Sequence, residues 1–261
     1  MYPILFELGF IVIPSWHFFY MIAAISVLFL YTRFGPEWHP SVKPDFWYFS
    51  WMAGYSGGYL GARVGSAFFE QNLRISNSLF IDLLSPGPMM LYGGLIGAVL
   101  SVSILSFFYK VSLIRVADVA APCGMFGLAI GRIGCFLNGD DYGVGFLSEP
   151  LPFWAVTFPN HAQPVPRVPV QLFESLLCFG IFFSYLFLRK KNLMSRPGMG
   201  GLYGFGAYSL GRFFLEFWRD DYRGPQFFNL FSPSQMISLF ILTFCGCLLI
   251  FIQKKFPVKE F

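Results

Sequence analysis

The feature that most constrains this chain is a set of long stretches without one charged side chain. Residues 8–32, 83–109 and 224–253 contain no Asp, Glu, Lys or Arg. Each exceeds the roughly 20 apolar residues that a helix needs to cross a bilayer. Of the 261 residues, 56% are hydrophobic and 12% are charged. A soluble domain carries about twice that share of charge, ~25%. Too few polar residues remain to clothe a soluble surface, so a water-soluble globular fold is excluded. The sequence predicts an all-α integral membrane protein of about seven transmembrane helices. They are placed at residues 14–32, 46–69, 88–109, 116–137, 171–189, 199–218 and 233–253 of a single multi-pass domain spanning 1–261. The N-terminus carries Glu7 instead of a basic region, and no small-residue cleavage site follows, so the first segment is expected to be retained as a helix.

Orientation follows from where the cations fall. If the N-terminus is outside, the inner connections hold Arg33, Lys43, Lys110, Arg115, Arg189, Lys190, Lys191, Arg196, Lys254, Lys255 and Lys259. The outer ones hold only Arg74, Arg167, Arg219 and Arg223. Cytoplasmic loops are the ones enriched in Lys and Arg, so the N-terminus is expected outside and the C-terminus in the cytoplasm. The longest connection, 138–170, is then an external cap between spans four and five. Its Pro150, Pro152, Pro159, Pro164, Pro166 and Pro169 suit irregular structure.

The five cysteines, Cys123, Cys135, Cys178, Cys245 and Cys247, show no paired metal spacing, and His17, His39 and His161 are scattered. No metal and no cofactor is expected. Glycines recur at helical spacing: Gly57, Gly61 and Gly65, then Gly127 and Gly131, then Gly200 and Gly204. Close helix packing in lipid is the preferred reading, and close approach of a lipid headgroup to the backbone is the other.

The informative residues are charges inside apolar segments. Arg63, Arg132, Arg212 and Glu216 are costly in hydrocarbon and therefore mark function or buried pairing. At 100° per residue, Arg212, Glu216 and Arg219 share one helical face, and Arg212 and Glu216 stand i, i+4. A guanidinium offers a planar fork of donors matched to phosphate, and the phosphate available at this depth belongs to a phospholipid. The densest signal is the run 131–143, where an apolar helix meets Arg132 and then a polar turn with Asn138, Asp140 and Asp141.

This run, GRIGCFLNGDDYG, resembles the signature G-R-x-G-N-F-x-N-x-E-x-x-G of the prolipoprotein diacylglyceryl transferases. Other pieces match in the same order: Gly61-Ala62-Arg63, Tyr92-Gly93-Gly94-Leu95-Ile96-Gly97, Pro169-Val170-Gln171-Leu172-Phe173-Glu174, Arg212 with Glu216 and Arg219, and Ser234-Gln235-Met236-Ile237-Ser238. The resemblance implies an enzyme of the bacterial inner (cytoplasmic) membrane. It would move the diacylglyceryl group of phosphatidylglycerol onto the lipobox cysteine of a prolipoprotein signal peptide and release glycerol phosphate. The partners implied are that lipid, that peptide and the membrane, with no nucleic acid.

By the same match, Arg132 and Arg212 hold the lipid phosphate. Arg63, Asn138, Gly143, Glu174 and Arg219 line the lipid site, and Tyr92, Asp140 and Glu216 join the two arginines in catalysis. Three positions depart from the family pattern: a histidine is Tyr92 here, an asparagine is Cys135, and a glutamate is Asp140. A tyrosine, with an ordinary pKa of about 10, is a poor base at neutral pH. Tyr92, Asp140 and Asp141 are thus the candidates to take the thiol proton, and Cys135 is not expected to be a nucleophile. Two other readings share these features. A relative that binds phospholipid without turnover is compatible with Tyr92. A small-solute transporter would show inverted repeats, and the two halves have no such similarity.

Overall fold

The protein is described here from a computed structural model, over residues 2–9, 11–69, 90–158, 165–194, 196–220 and 231–255. Seven α-helices lie among the described residues. They are α1 Ser15–Trp38, α2 Pro44–Phe69, α3 Leu91–Tyr109, α4 Leu113–Asn138, α5 Val170–Lys190, α6 Met199–Leu215 and α7 Pro233–Lys255. Each falls on a predicted segment. Helices α1, α4, α5 and the Pro233–Ile250 part of α7 are long and apolar enough to cross a membrane, and Gly93–Tyr109 of α3 is a shorter apolar helix. Their outward faces are large and apolar, with Phe29, Phe107, Phe183 and Phe240 all exposed. No polar rim could keep such faces in water, so this is a multi-pass helical membrane protein.

Two small sheets depart from the all-α expectation. Strands β1 (Ile4–Leu8) and β2 (Ile11–Pro14) form an antiparallel hairpin ahead of α1, turning at Gly9, whose φ of 61° suits glycine. Both strands are almost wholly apolar, with Glu7 alone polar, so no period of two distinguishes them from the apolar run that follows. Strands β3 (Val156–Thr157) and β4 (Pro166–Arg167) pair within the 138–170 connection.

The chain forms two compact units: Leu28–Val116 is one, and Met1–Val27 with Ala117–Phe261 is the other. In the first, α2 and α3 meet along glycine. A Cβ on Gly61 would lie 2.9 Å from the Gly97 Cα, and one on Gly65 would lie 3.2 Å from the Gly93 Cα. Any side chain there would separate the backbones, so the close-packing reading of these glycines holds. Beyond this seam, Trp47 is fully buried against Tyr31, and the Tyr31 and Ser50 hydroxyls stand 3.1 Å apart. Arg63 is buried on α2 in this unit, and Tyr92 lies in the first turn of α3, its side chain outside the described residues. Arg74 also falls outside them.

In the second unit, α6 packs against α5 and α7. Phe126 of α4 packs on Phe179 and Phe182 of α5, and the Ser175 hydroxyl donates to the Ala129 carbonyl at 2.8 Å. Asp118, buried within α4, accepts the backbone N–H groups of Gly198 at 2.6 Å, Gly200 at 2.8 Å and Gly201 at 3.3 Å. The first N–H groups of a helix have no partner within it, so a carboxylate from α4 completes the start of α6. The N-terminal hairpin belongs to this unit as well. The Tyr2 N–H donates to the Leu137 carbonyl at 3.1 Å, and the Ser15 hydroxyl closes on the Tyr2 carbonyl. The hairpin therefore sits at the end of the bundle where α4 runs into its polar turn.

Candidate functional site

The site is built on Glu174, in the first turns of α5 and wholly buried. Its Oε2 lies 3.0 Å from Arg132 Nε and 3.6 Å from Arg212 Nη1. Its Oε1 accepts the Tyr208 hydroxyl at 2.7 Å. Arginines from α4 and α6 thus converge on one carboxylate from α5. A lone charge here would be strongly destabilising, whereas a shared carboxylate lets both arginines remain ionised away from water.

Two more acids complete the network. Glu216 Oε2 stands 2.7 Å from Arg212 Nη2, and its Oε1 accepts the Ser232 hydroxyl at 2.8 Å. Asp141 places Oδ2 at 2.5 Å from Arg132 Nη1 and Oδ1 at 2.6 Å from Arg219 Nη2. The Arg132 guanidinium also lies 3.8 Å from the Cys135 sulfur. Both terminal nitrogens of Arg212 are buried without an aligned hydrogen-bond acceptor among the described residues. Their charge is balanced by Glu174 and Glu216.

The chain path explains how these groups meet. After Leu215 the helix tightens into a 3-10 turn, Glu216–Trp218, and Arg219 is extended, with φ −92° and ψ 147°. The single helical face expected for Arg212, Glu216 and Arg219 therefore ends at Glu216. Arg219 reaches the network from a strand-like segment that bridges Gly143. Gly143 donates to the Val168 carbonyl at 3.0 Å, and Val144 donates to the Trp218 carbonyl at 2.9 Å. A Cβ on Gly143 would stand 2.5 Å from the Trp218 carbonyl oxygen, so glycine is needed here for this close backbone approach. One face of the small ladder lines an apolar cavity of about 630 Å³ with Val144, Phe146, Trp154, Val168, Phe173 and Trp218. On the ladder's other side, Arg167 donates to the Gly143 carbonyl at 3.2 Å and pairs with Asp220 at 2.6 Å.

The turn after α4 carries the other predicted residues. Asn138 donates to Asp140 at 2.7 Å, and Gln171 donates to the Asp140 backbone carbonyl at 2.5 Å. Asp140 stands at the surface, yet it loses enough water to raise its carboxyl above the ordinary value. The Asn138 amide opposes this rise, and the neighbouring Asp141 charge adds to it. Cys135, Asp140 and Asp141 bring potential metal ligands within 4.8 Å of one another. Both Asp141 oxygens already face guanidinium groups, so a cation there would sit beside two positive charges.

Arg132, Arg212, Glu174, Glu216 and Arg219 thus form one cluster, with Asn138, Asp140 and Gly143 on its polar turn. The sequence reading missed Tyr208, Ser232 and Asp118. Ser232 had a readable signal: Ser232-Pro233-Ser234-Gln235 is a capping box, with Gln235 N–H donating to Ser232 Oγ at 3.2 Å and Ser232 N–H to Gln235 Oε1 at 3.0 Å. Asp118 stood inside a predicted span and was as readable as Arg132. Nothing in its spacing singled out Tyr208.

Several known proteins are similar to this chain over most of its length. A relative from Leptothrix cholodnii is 32% identical, over 87% of this chain and 88% of its own length. One from Idiomarina loihiensis is 29% identical, over 98% and 94%. One from Haemophilus influenzae is 34% identical, over 71% and 68%. Each is named a phosphatidylglycerol–prolipoprotein diacylglyceryl transferase. The family described as prolipoprotein diacylglyceryl transferase matches residues 3–252, and the chain belongs to that family.

Proposed function

We infer that this protein transfers the diacylglyceryl group of phosphatidylglycerol to a cysteine thiol of prolipoproteins. The observation that carries the reading is the convergence of Arg132 and Arg212 on buried Glu174. In a chain of this family, that is a seat for a phosphodiester.

The reaction forms a carbon–sulfur bond at the glycerol carbon that carries the phosphate and breaks that carbon's bond to oxygen. The electron pair leaves with glycerol phosphate, and the thiol proton goes to a base. Negative charge grows on the departing phosphate, where Arg132 and Arg212, fixed in advance by Glu174 and Glu216, stabilise it. Asp140, on the turn beside the cluster and within 4.8 Å of Asp141 and Cys135, is the first acceptor proposed. Tyr92 is the second acceptor proposed. The reactive sulfur comes from the peptide substrate as thiolate, and the enzyme contributes no covalent intermediate.

In the membrane we place seven spans, with the N-terminus outside, the C-terminus cytoplasmic and 138–170 as an external cap, in the bacterial inner membrane. The Tyr2–Leu137 hydrogen bond supports a shared side for hairpin and cap. The lipobox peptide then reaches the site from outside, its signal helix lying in the bilayer.

The test is reconstitution of the full chain in phosphatidylglycerol vesicles with a lipobox peptide. Release of glycerol phosphate together with a thioether-linked peptide is expected, and both vanish in Arg132→Ala. Lipid binding without turnover by the unmutated protein would favour a non-catalytic relative.

A further inference from the structure

We propose that Asp141 is a built-in stand-in for the substrate phosphodiester, occupying the anion seat between Arg132 and Arg219 and giving it up when the lipid phosphate arrives. The proposal rests on the reading that the lipid phosphate binds at Arg132.

Two carboxylates touch Arg132, and they differ in kind. Glu174 projects from helix α5, has no solvent exposure, and is held by Tyr208 as well as by two arginines. Asp141 lies past the end of α4, on a turn where its own φ is 60° and that of Gly139 is 86°. Its side chain is 26% exposed, against 0% for Glu174 and 6% for Glu216. It is therefore the acid of the network best placed to be exchanged.

The contact pattern matches a phosphodiester. One Asp141 oxygen faces Arg132 Nη1 and the other faces Arg219 Nη2. The two non-bridging oxygens of a phosphodiester can take the same two donors. Arg219 is 2% exposed and Arg132 is 14% exposed. An anion placed between two guanidinium groups this poorly solvated is strongly favoured. Asp141 supplies it between turnovers, and the lipid supplies it during them. Once glycerol phosphate has formed, the returning carboxylate competes with it and hastens its exit. The same exchange explains why an acid stands in a seat that must accept a negatively charged lipid.

The test uses the full chain in detergent micelles. Binding of dioctanoyl phosphatidylglycerol, of glycerol phosphate and of uncharged dioctanoylglycerol is measured by titration calorimetry, alongside turnover with a lipobox peptide. Asp141→Asn removes the competing charge and keeps the shape. It is expected to tighten both phosphate ligands by about tenfold, equivalent to about 1.4 kcal/mol, and to leave the uncharged lipid unchanged. Asp141→Leu must change both phosphate affinities in the same direction, and stands in if the Asn variant does not fold. Unchanged or weaker phosphate binding in these variants overturns the proposal, because a merely structural bridge would loosen the seat. Equal tightening of the uncharged lipid also overturns it. So does lost turnover at unchanged affinity, which would make Asp141 the base. If the unmutated protein binds the lipid without turning it over, the transferase reading falls while the binding comparison still decides on Asp141. If it binds no lipid, both fall.

Discussion

The α2–α3 pair and the α4–α5–α6 cluster solve the problem of holding helices together in lipid by opposite means. In the first, glycines let two backbones touch, and dispersion between flat faces does the joining. In the second, Glu174 draws arginines from two neighbouring helices onto itself. Glycine packing tolerates no added atoms but is indifferent to charge. The ionic cluster tolerates modest changes of shape but not of charge. The second gathers charged donors around a buried carboxylate.

The comparison can be broken most severely at Arg132. Arg132→Lys keeps the charge and loses the fork, and turnover is expected to fall by about 10²–10³, the usual effect of removing one transition-state donor. Glycerol phosphate release from vesicles measures it, and near-normal activity would contradict the phosphate seat. Glu174→Gln leaves the arginines of α4 and α6 without their common acid. A loss of about 3–5 kcal/mol is expected, read from thermal unfolding in detergent. On the other side of the comparison, Gly61→Ala forces a methyl group onto the α3 backbone and should cost about 1–3 kcal/mol. Gly180→Ala, on α5 with open space around it, should instead gain about 0.4–1 kcal/mol by restricting the unfolded chain. Equal responses at the two glycines would remove the distinction between packing seam and open face.

The smallest effect concerns Asp140. Folding raises its carboxyl above the ordinary 3.8, so the folded chain keeps this proton longer than the unfolded chain. Stability from this group is present at low pH and is lost as pH rises from 3.8 through the folded value. Asp140→Asn should flatten that part of the stability–pH curve.

Much of this was legible in the residues. Charge-free runs located the helices, and arginines embedded in apolar stretches located the cluster, because both signals are local. The N-terminal hairpin escaped because its consecutive apolar residues lie beside, and partly inside, a longer apolar run. The Asp141–Arg219 contact joins positions 78 residues apart through a strand-like segment, and no periodicity announces such a pairing. Glu174 was visible as a member of the site but not as its hub, since that role depends on three helices converging.

Asp118 has a consequence for the spacing of the arginines. By tying α4 to the beginning of α6, while Glu174 links the same two helices near their other ends through Arg132 and Arg212, it makes them two sides of a braced rectangle. Such a brace sets the gauge between the arginines before any lipid enters.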